Sequence, residues 1–213
     1  LFPKVVQVVM EAVDVPLSLD SPNPEALTAA LKVYKGKPLI NSVTGEESSM
    51  QTVLPLAKEY GAAVVALLQG DGGIAPDPEG RVAVARKLID RADSIGIPIE
   101  DLVFDCMAMT LGADHKAAAV TLETMRRLRD EYGVNLVLGA SNVSFGLPDR
   151  DTINNIFIAL AIEAGATCLI TNASLVRSSV LATDLVLGRD EYAARYISGY
   201  RKRIKEHEST QVA

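Results

Sequence analysis

The sequence contains no tryptophan, only two cysteines and only two histidines in 213 residues, and each scarcity removes a class of chemistry. With His115 and His207 alone, a three-histidine zinc site is impossible, and no Cys-x-x-Cys spacing offers another, so no metal bound by this chain is expected. Cys106 and Cys168 lie far apart inside apolar runs and read as buried free thiols of a reducing compartment. Basic residues are also short: 21 Lys+Arg against 27 Asp+Glu leave a net charge of −6, which argues against a nucleic-acid partner. No apolar run approaches the ~18 residues of a membrane span. Ala62 to Leu68, among the longest, has the length of a buried strand. The N-terminus shows no charged segment followed by an apolar signal stretch, so the expected location is the cytoplasm.

What is present is a globular composition, 48% apolar and 23% charged, with enough apolar side chains for a sizeable core. Neither a low-complexity linker nor a composition shift divides the chain, so residues 1–213 are expected to form a single domain. The chain opens on Leu1 inside helical spacing (Val5, Val6, Val9, Met10, Val13), and a native chain normally begins with Met. An N-terminal segment is therefore expected to be absent from the sequence.

One pattern recurs six times: a short apolar or β-branched run, a polar turn, then an amphipathic helical stretch. The runs begin at Val15, Pro38, Ala63, Leu102, Asn135 and Cys168. Between Asp20, Asn41, Gln69, Asp105, Ser141 and Asn172 the steps are 21, 28, 36, 36 and 31 residues, the size of a strand, a helix and two loops. Helices are expected after Pro24 to Gly36, over Glu79–Ser94 and over Lys116–Tyr132. In the second of these, Val82, Ala85, Leu88, Ile89 and Ala92 form the inner face, and Arg81, Arg86, Lys87, Asp90 and Arg91 lie elsewhere. A final helix runs from Gly188 to Glu208, with Arg201, Lys202, Arg203 and Lys205 on a solvated face.

The repeated unit fits a doubly wound sheet or an eight-stranded (β/α)8 barrel of which the first one or two strands are outside the sequence. Polar residues at the strand ends favour the barrel, because a barrel gathers one site there from many strands. Three familiar motifs are incomplete. In Gly70-Asp-Gly-Gly73 the last glycine of a dinucleotide fingerprint is replaced by Ala75. No GxxxxGK[ST] occurs, and Gly139-Ala-Ser-Asn-Val143 lacks the second glycine of a nucleophile elbow. What remains is a set of amides and carboxylates: Asp20, Asn41, Asp105 and Asn142, each closing or following a strand. Any one of them reads as a turn cap. Together on separate strands they form a cup of acceptors and amide donors, suited to a flat, neutral heterocycle.

Leu-Asp20-Ser, Ile-Asn41-Ser, Gly73-Ile-Ala-Pro76, Phe-Asp105 and above all Gly-Ala-Ser-Asn142-Val-Ser-Phe-Gly-Leu-Pro resemble the pterin-binding methyltransferases. The resemblance extends over the whole chain and is strongest to methyltetrahydrofolate:corrinoid/iron–sulfur protein methyltransferases and the methyltransferase subunits of O-demethylase systems. It implies a TIM (β/α)8 barrel of the dihydropteroate-synthase-like type in a one-carbon pathway, with methyltetrahydrofolate or tetrahydrofolate as substrate. The cobalamin (corrinoid) would be carried by a partner protein, and the family's members are homodimers. On matching positions, Asp20, Asn41 and Asp105 would bind the pterin ring, Asn142 would be catalytic at N5, and Arg150 would lie near the substrate. Phe145 departs from the family, which sometimes has Gln three positions after the catalytic Asn. The alternatives are a dihydropteroate synthase, whose pyrophosphate needs cations that Ser141–Phe145 and Thr171–Ser174 do not supply, and a non-catalytic pterin-binding protein.

Overall fold

The structure, a computed structural model, describes residues 1–211, with side chains through Lys205; His207 lies outside the described side chains. The chain alternates helices and strands in order. α1 (Phe2–Ala12) leads to β1 (Ser18–Asp20), then α2 (Pro24–Val33), β2 (Leu39–Thr44), α3 (Glu47–Tyr60) and β3 (Ala63–Leu67). A small antiparallel hairpin, β4 (Gln69–Gly70) and β5 (Gly73–Ile74), precedes α4 (Pro78–Ser94). Then come β6 (Leu102–Asp105), α5 (Ala117–Tyr132), β7 (Asn135–Gly139), α6 (Arg150–Ala164), β8 (Cys168–Ile170), α7 (Ala173–Val186) and α8 (Ala194–Gln211). All six expected strands form; β1 and β6 end on Asp20 and Asp105, β2 runs past Asn41 to Thr44, and β7 and β8 stop before Asn142 and Asn172.

The large sheet runs β1-β2-β3-β6-β7-β8, every pair parallel, so strand order follows chain order without reversal. A doubly wound sheet reverses its order at a switch point. This one does not, and each helix packs against the next from α1 to α8, as a single outer layer does. The result is a parallel, half-barrel α/β sheet with β1 and β8 at its edges among the described residues.

Helix boundaries follow local chemistry. Asn23 caps α2 by accepting from the Ala26 N–H at 2.9 Å, and Asp77 caps α4 by accepting from the Gly80 N–H at 2.8 Å; each is followed by proline in the first turn. Gly133 ends α5 in the left-handed conformation at φ +63°. Among the described residues no helix is long and apolar enough to cross a membrane.

Register assigns each strand residue to one face. Leu19, Ile40, Val64, Leu102, Phe104, Leu136 and Leu138 point to the helix layer and make the core with Met50, Leu54, Leu88, Met125 and Leu128. Alternate residues, Asp20, Asn41, Val65, Asp105, Val137 and Cys168, face the concave side. Two expectations are corrected here. Cys168 is exposed, not buried, because it sits on the concave face of the edge strand β8, where no helix covers it. Arg81, expected among the outward residues of its helix, is only 3% exposed. Its guanidinium finds backbone carbonyls within reach, which periodicity alone does not reveal.

The turn from β2 to α3 is built around Gly45. Its N–H donates to the Gln69 carbonyl at 2.8 Å, and its carbonyl accepts from Lys87 Nζ at 2.7 Å. A Cβ at Gly45 would stand 2.5 Å from Val84 Cγ1 and 3.1 Å from the Gln69 carbonyl oxygen. Gly45→Ala is therefore expected to lower the unfolding free energy by about 1–3 kcal/mol through overpacking. Gly72→Ala, with nothing within 4 Å of its new Cβ, should stay within about 0.5 kcal/mol of the parent. Urea-denaturation midpoints of the two variants check the contrast, and equal losses would refute it.

Candidate active site

Because all six strands are parallel, their C-terminal ends open on one side, and the polar residues expected from the sequence gather there. Asp20 and Asn41 are partners across β1 and β2, and Asn41 Nδ2 donates to Asp20 Oδ2 at 3.3 Å. The β2 register shifts between Asn41 and Val43, so Ser42 is left out of the ladder. Beside this pair lies a cleft of about 600 Å³ lined by Asp20, Asn41 and a run of hydroxyls that includes Ser42, Thr44, Ser49 and Thr52.

Asp105 closes β6 opposite Leu67, on the same concave face. It is 9% exposed, and burial pushes its carboxyl above the usual carboxylate range. Backbone N–H donors from Met107, at 2.8 Å, and Gly139 pull the other way, as does the positive charge of Arg81. Met107 adopts φ +61°, a conformation uncommon for a residue with a side chain, and thereby directs its N–H at the carboxylate. Next to it, burial raises the Cys106 thiol far above its ordinary value, so it stays protonated and is no nucleophile.

Asn142 lies in a 3-10 turn, Ala140–Ser144, that follows β7. Its amide folds back over Gly139: a Cβ there would stand 3.1 Å from Asn142 Nδ2. Gly139 thus gives its N–H to Asp105 and its bare Cα to the Asn142 amide, joining the two side chains through one residue. Among the described residues the Asn142 carboxamide has no hydrogen-bond partner within the chain, which leaves donor and acceptor for a ligand.

The loop carrying Asn142 is braced from two directions. Arg150 Nη2 donates to the Ser141 carbonyl at 2.8 Å and Nε to Ser144 Oγ at 3.0 Å. Ser144 Oγ in turn bonds Asn154 Oδ1 at 2.8 Å. From the β6 side, the Leu111 N–H donates to the Val143 carbonyl at 2.9 Å, and Thr110 Oγ1 donates to the Phe145 carbonyl at 2.6 Å. Phe145 itself is 68% exposed at the rim, with the Arg150 guanidinium 5.9 Å from its ring centre. The structure places Arg150 as a brace of the Asn142 loop. Asn172, another strand-end amide, caps α7 by accepting from the Ser174 N–H at 3.1 Å and takes no part. Ser144, Thr110 and Arg81 were not among the expected site residues; the buried Ser144 hydroxyl has no spacing signal in the sequence. No three His, Cys, Asp or Glu side chains converge as a metal would require among the described residues.

A family model described as pterin binding enzyme matches residues 1–172. The chain is 28% identical over 200 residues to the methylcorrinoid:tetrahydrofolate methyltransferase of Eubacterium limosum, covering 92% of this chain and 74% of that protein. It is 34% identical over 174 residues to the methionine synthase of Mycobacterium leprae, covering 76% of this chain and 14% of that much longer protein. The methionine synthase of Mycobacterium tuberculosis aligns at 32% identity, and the chain spans 15% of its length. Among solved structures, a Yersinia pestis dihydropteroate synthase superposes with a TM-score of 0.69 at 18% identity, covering 87% of this chain and 78% of that one. At that identity the likeness is one of fold.

The buried Asp105 carboxyl makes stability depend on pH. Its raised native value means that the folded state holds this proton to higher pH than the unfolded chain, whose value is near 3.8. Stability is therefore lost as pH rises through the interval between the two. Asp105→Asn keeps an acceptor for the Met107 N–H without that titration. Measured by urea unfolding, wild type is expected to lose stability relative to Asp105→Asn as pH rises above the unfolded value near 3.8, and a difference that does not change with pH would contradict the assignment.

Proposed function

The chain belongs to the pterin-binding enzyme family, and we propose that it transfers a methyl group between N5 of tetrahydrofolate and the cobalt of a corrinoid held by a partner protein. In this reading the six strands are an arc of the family's eight-stranded barrel, and residues 1–213 act as one domain. The observation that carries the reading is the convergence of Asp20, Asn41 and Asp105 on the concave face, with an unengaged Asn142 amide set beside Asp105 over Gly139. The sequence likeness to methyl-transferring relatives supports it independently.

The chemistry follows from these groups. A pterin ring presents a 2-amino group and a ring N–H on one edge, and carboxylates at Asp20 and Asp105 accept from such donors while the Asn41 amide satisfies a neighbouring acceptor. Asp105 is predominantly desolvated, so a hydrogen bond to it gains more than the same bond in water. The N5–methyl bond breaks with its electron pair left on nitrogen, which takes up a proton. The bound corrinoid supplies the pair for the new cobalt–carbon bond as Co(I) and becomes methyl-Co(III). The reverse transfer uses the same groups. The proton that N5 takes up comes from solvent, and the Asn142 amide stabilises the nitrogen by a hydrogen bond as the bond to carbon breaks. A donor that bonds N5 more strongly in the transition state than in the ground state lowers the barrier differentially.

The test is a spectral assay of Co(I) corrinoid with methyltetrahydrofolate and the protein. Formation of methyl-Co(III) is expected, and none with several corrinoid acceptors would refute the proposal. Asn142→Ala should reduce the transfer rate about 10²–10³-fold, the ordinary cost of one transition-state donor, while methyltetrahydrofolate affinity changes only a few-fold. A fall in affinity with an unchanged rate of transfer would reassign Asn142 to binding.

A further inference from the structure

Arg81 is the one charged side chain of α4 turned into the core, at 3% exposure, and its hydrogen bonds all go to neutral acceptors. Nε donates to the Ala75 carbonyl at 3.0 Å, and Nη1 reaches the carbonyls of Cys106 at 2.7 Å and Met107 at 3.0 Å and Thr121 Oγ1 at 3.2 Å. Burying a cation without a hydrogen-bonded carboxylate costs stability, and a buried cation is ordinarily paired. Filling this space needs only a methionine or leucine. The guanidinium gives something that neither could: it grips both carbonyls of the turn in which Met107 takes φ +61° and turns its N–H onto Asp105. Thr121 completes the clamp, donating to the Met107 carbonyl at 3.1 Å.

We propose that Arg81 is a positioning residue of the candidate active site, a buried cation that clamps the turn after β6 and so fixes the Asp105 carboxylate for its ligand. The inference rests on the reading of Asp105 as a pterin-binding group. Arg81 does not face the concave side and touches no ligand; it acts through the Cys106 and Met107 carbonyls, and its charge is felt at Asp105. The other groups near Asp105 are the Cys106 thiol on the same strand exit, Asp77 at the start of α4, whose charge acts on Arg81, and the Gly139 N–H from the end of β7. Of these Arg81 alone brings a positive charge, so its removal has one sign at Asp105.

Two measurements on the whole protein test the inference. The first, carbon NMR titration of the Asp105 carboxyl without ligand, does not depend on the proposed function. In Arg81→Met the carboxyl should titrate at higher pH than in wild type, and Arg81→Lys, which keeps the charge, should recover most of the shift. The second, calorimetric titration with tetrahydrofolate, should show at least ten-fold weaker binding for Arg81→Met, with Arg81→Lys between it and wild type. If Arg81→Met does not fold by circular dichroism, Thr121→Val removes one arm of the clamp and should shift both readouts the same way by less. A folded variant in which Asp105 titrates as in wild type overturns the assignment, as does unchanged tetrahydrofolate affinity. If wild type itself binds no tetrahydrofolate, the functional reading fails while the Asp105 titration still decides whether Arg81 sets that carboxyl.

Discussion

The structure depends on the two-residue period of parallel strands wound in a single direction. Each strand sends one set of side chains into a continuous helix layer and the alternate set to the concave side. Leu19, Ile40 and Phe104 are held in the first set by burial. Asp20, Asn41 and Asp105, one residue further along, are thereby assigned to the second. A slip of one position on any of these strands would bury its polar residue among leucines and expose the apolar one. Core and site are thus specified by the same register, and apolar packing against α2 to α6 is what aims the carboxylates.

Aim alone leaves a carboxylate that is costly to bury. At Asp105 the cost is offset by donors that the backbone provides: the Met107 N–H through a left-handed residue, and the Gly139 N–H at the end of the next strand. Each of these depends on a loop being held still. The β6 exit is held by Arg81 and Thr121, and the β7 exit by Arg150, Ser144 and Asn154. The loops are then tied to each other through Leu111–Val143 and Thr110–Phe145. The mouth is therefore one connected polar framework laid over an apolar sheet, with the Asn142 carboxamide left without a partner in the chain among the described residues. At the rim Phe145 has its carbonyl held by Thr110 and its exposed ring beside the Arg150 guanidinium that braces the same loop.

The sequence made some of this legible and hid the rest for identifiable reasons. Strands were readable because parallel strands covered by helices are continuous apolar runs, and the polar residues closing them stood out against that background. Asp20, Asn41 and Asp105 do share a face, since each follows an apolar residue whose inward direction is unambiguous. Arg81 was misplaced because helical periodicity sorts residues by polarity, and its burial is created by carbonyls 25 residues away in the β6 exit. Cys168 was misplaced because an apolar run implies burial only where both sheet faces are covered, and β8 is an edge. Ser144 and Thr110 act through single hydroxyl bonds across loops, a relation that leaves no pattern along the chain.

The scarcity of histidine bears on what kind of catalyst such a mouth can be. A general acid with a near-neutral pKa would protonate a tertiary amine only within a limited pH range. A carboxamide carries no charge and imposes no such range. It can donate to N5 when the nitrogen gains electron density and accept from it once protonated, by rotating about one bond. Gly139 leaves the space for that rotation, because any larger residue would press a Cβ against the Asn142 amide at 3.1 Å. For the methyl transfer proposed above, in either direction, an amide beside a desolvated carboxylate is not confined to a pH range as an acid would be, and the glycine between them is as much a part of the candidate site as the side chains it separates.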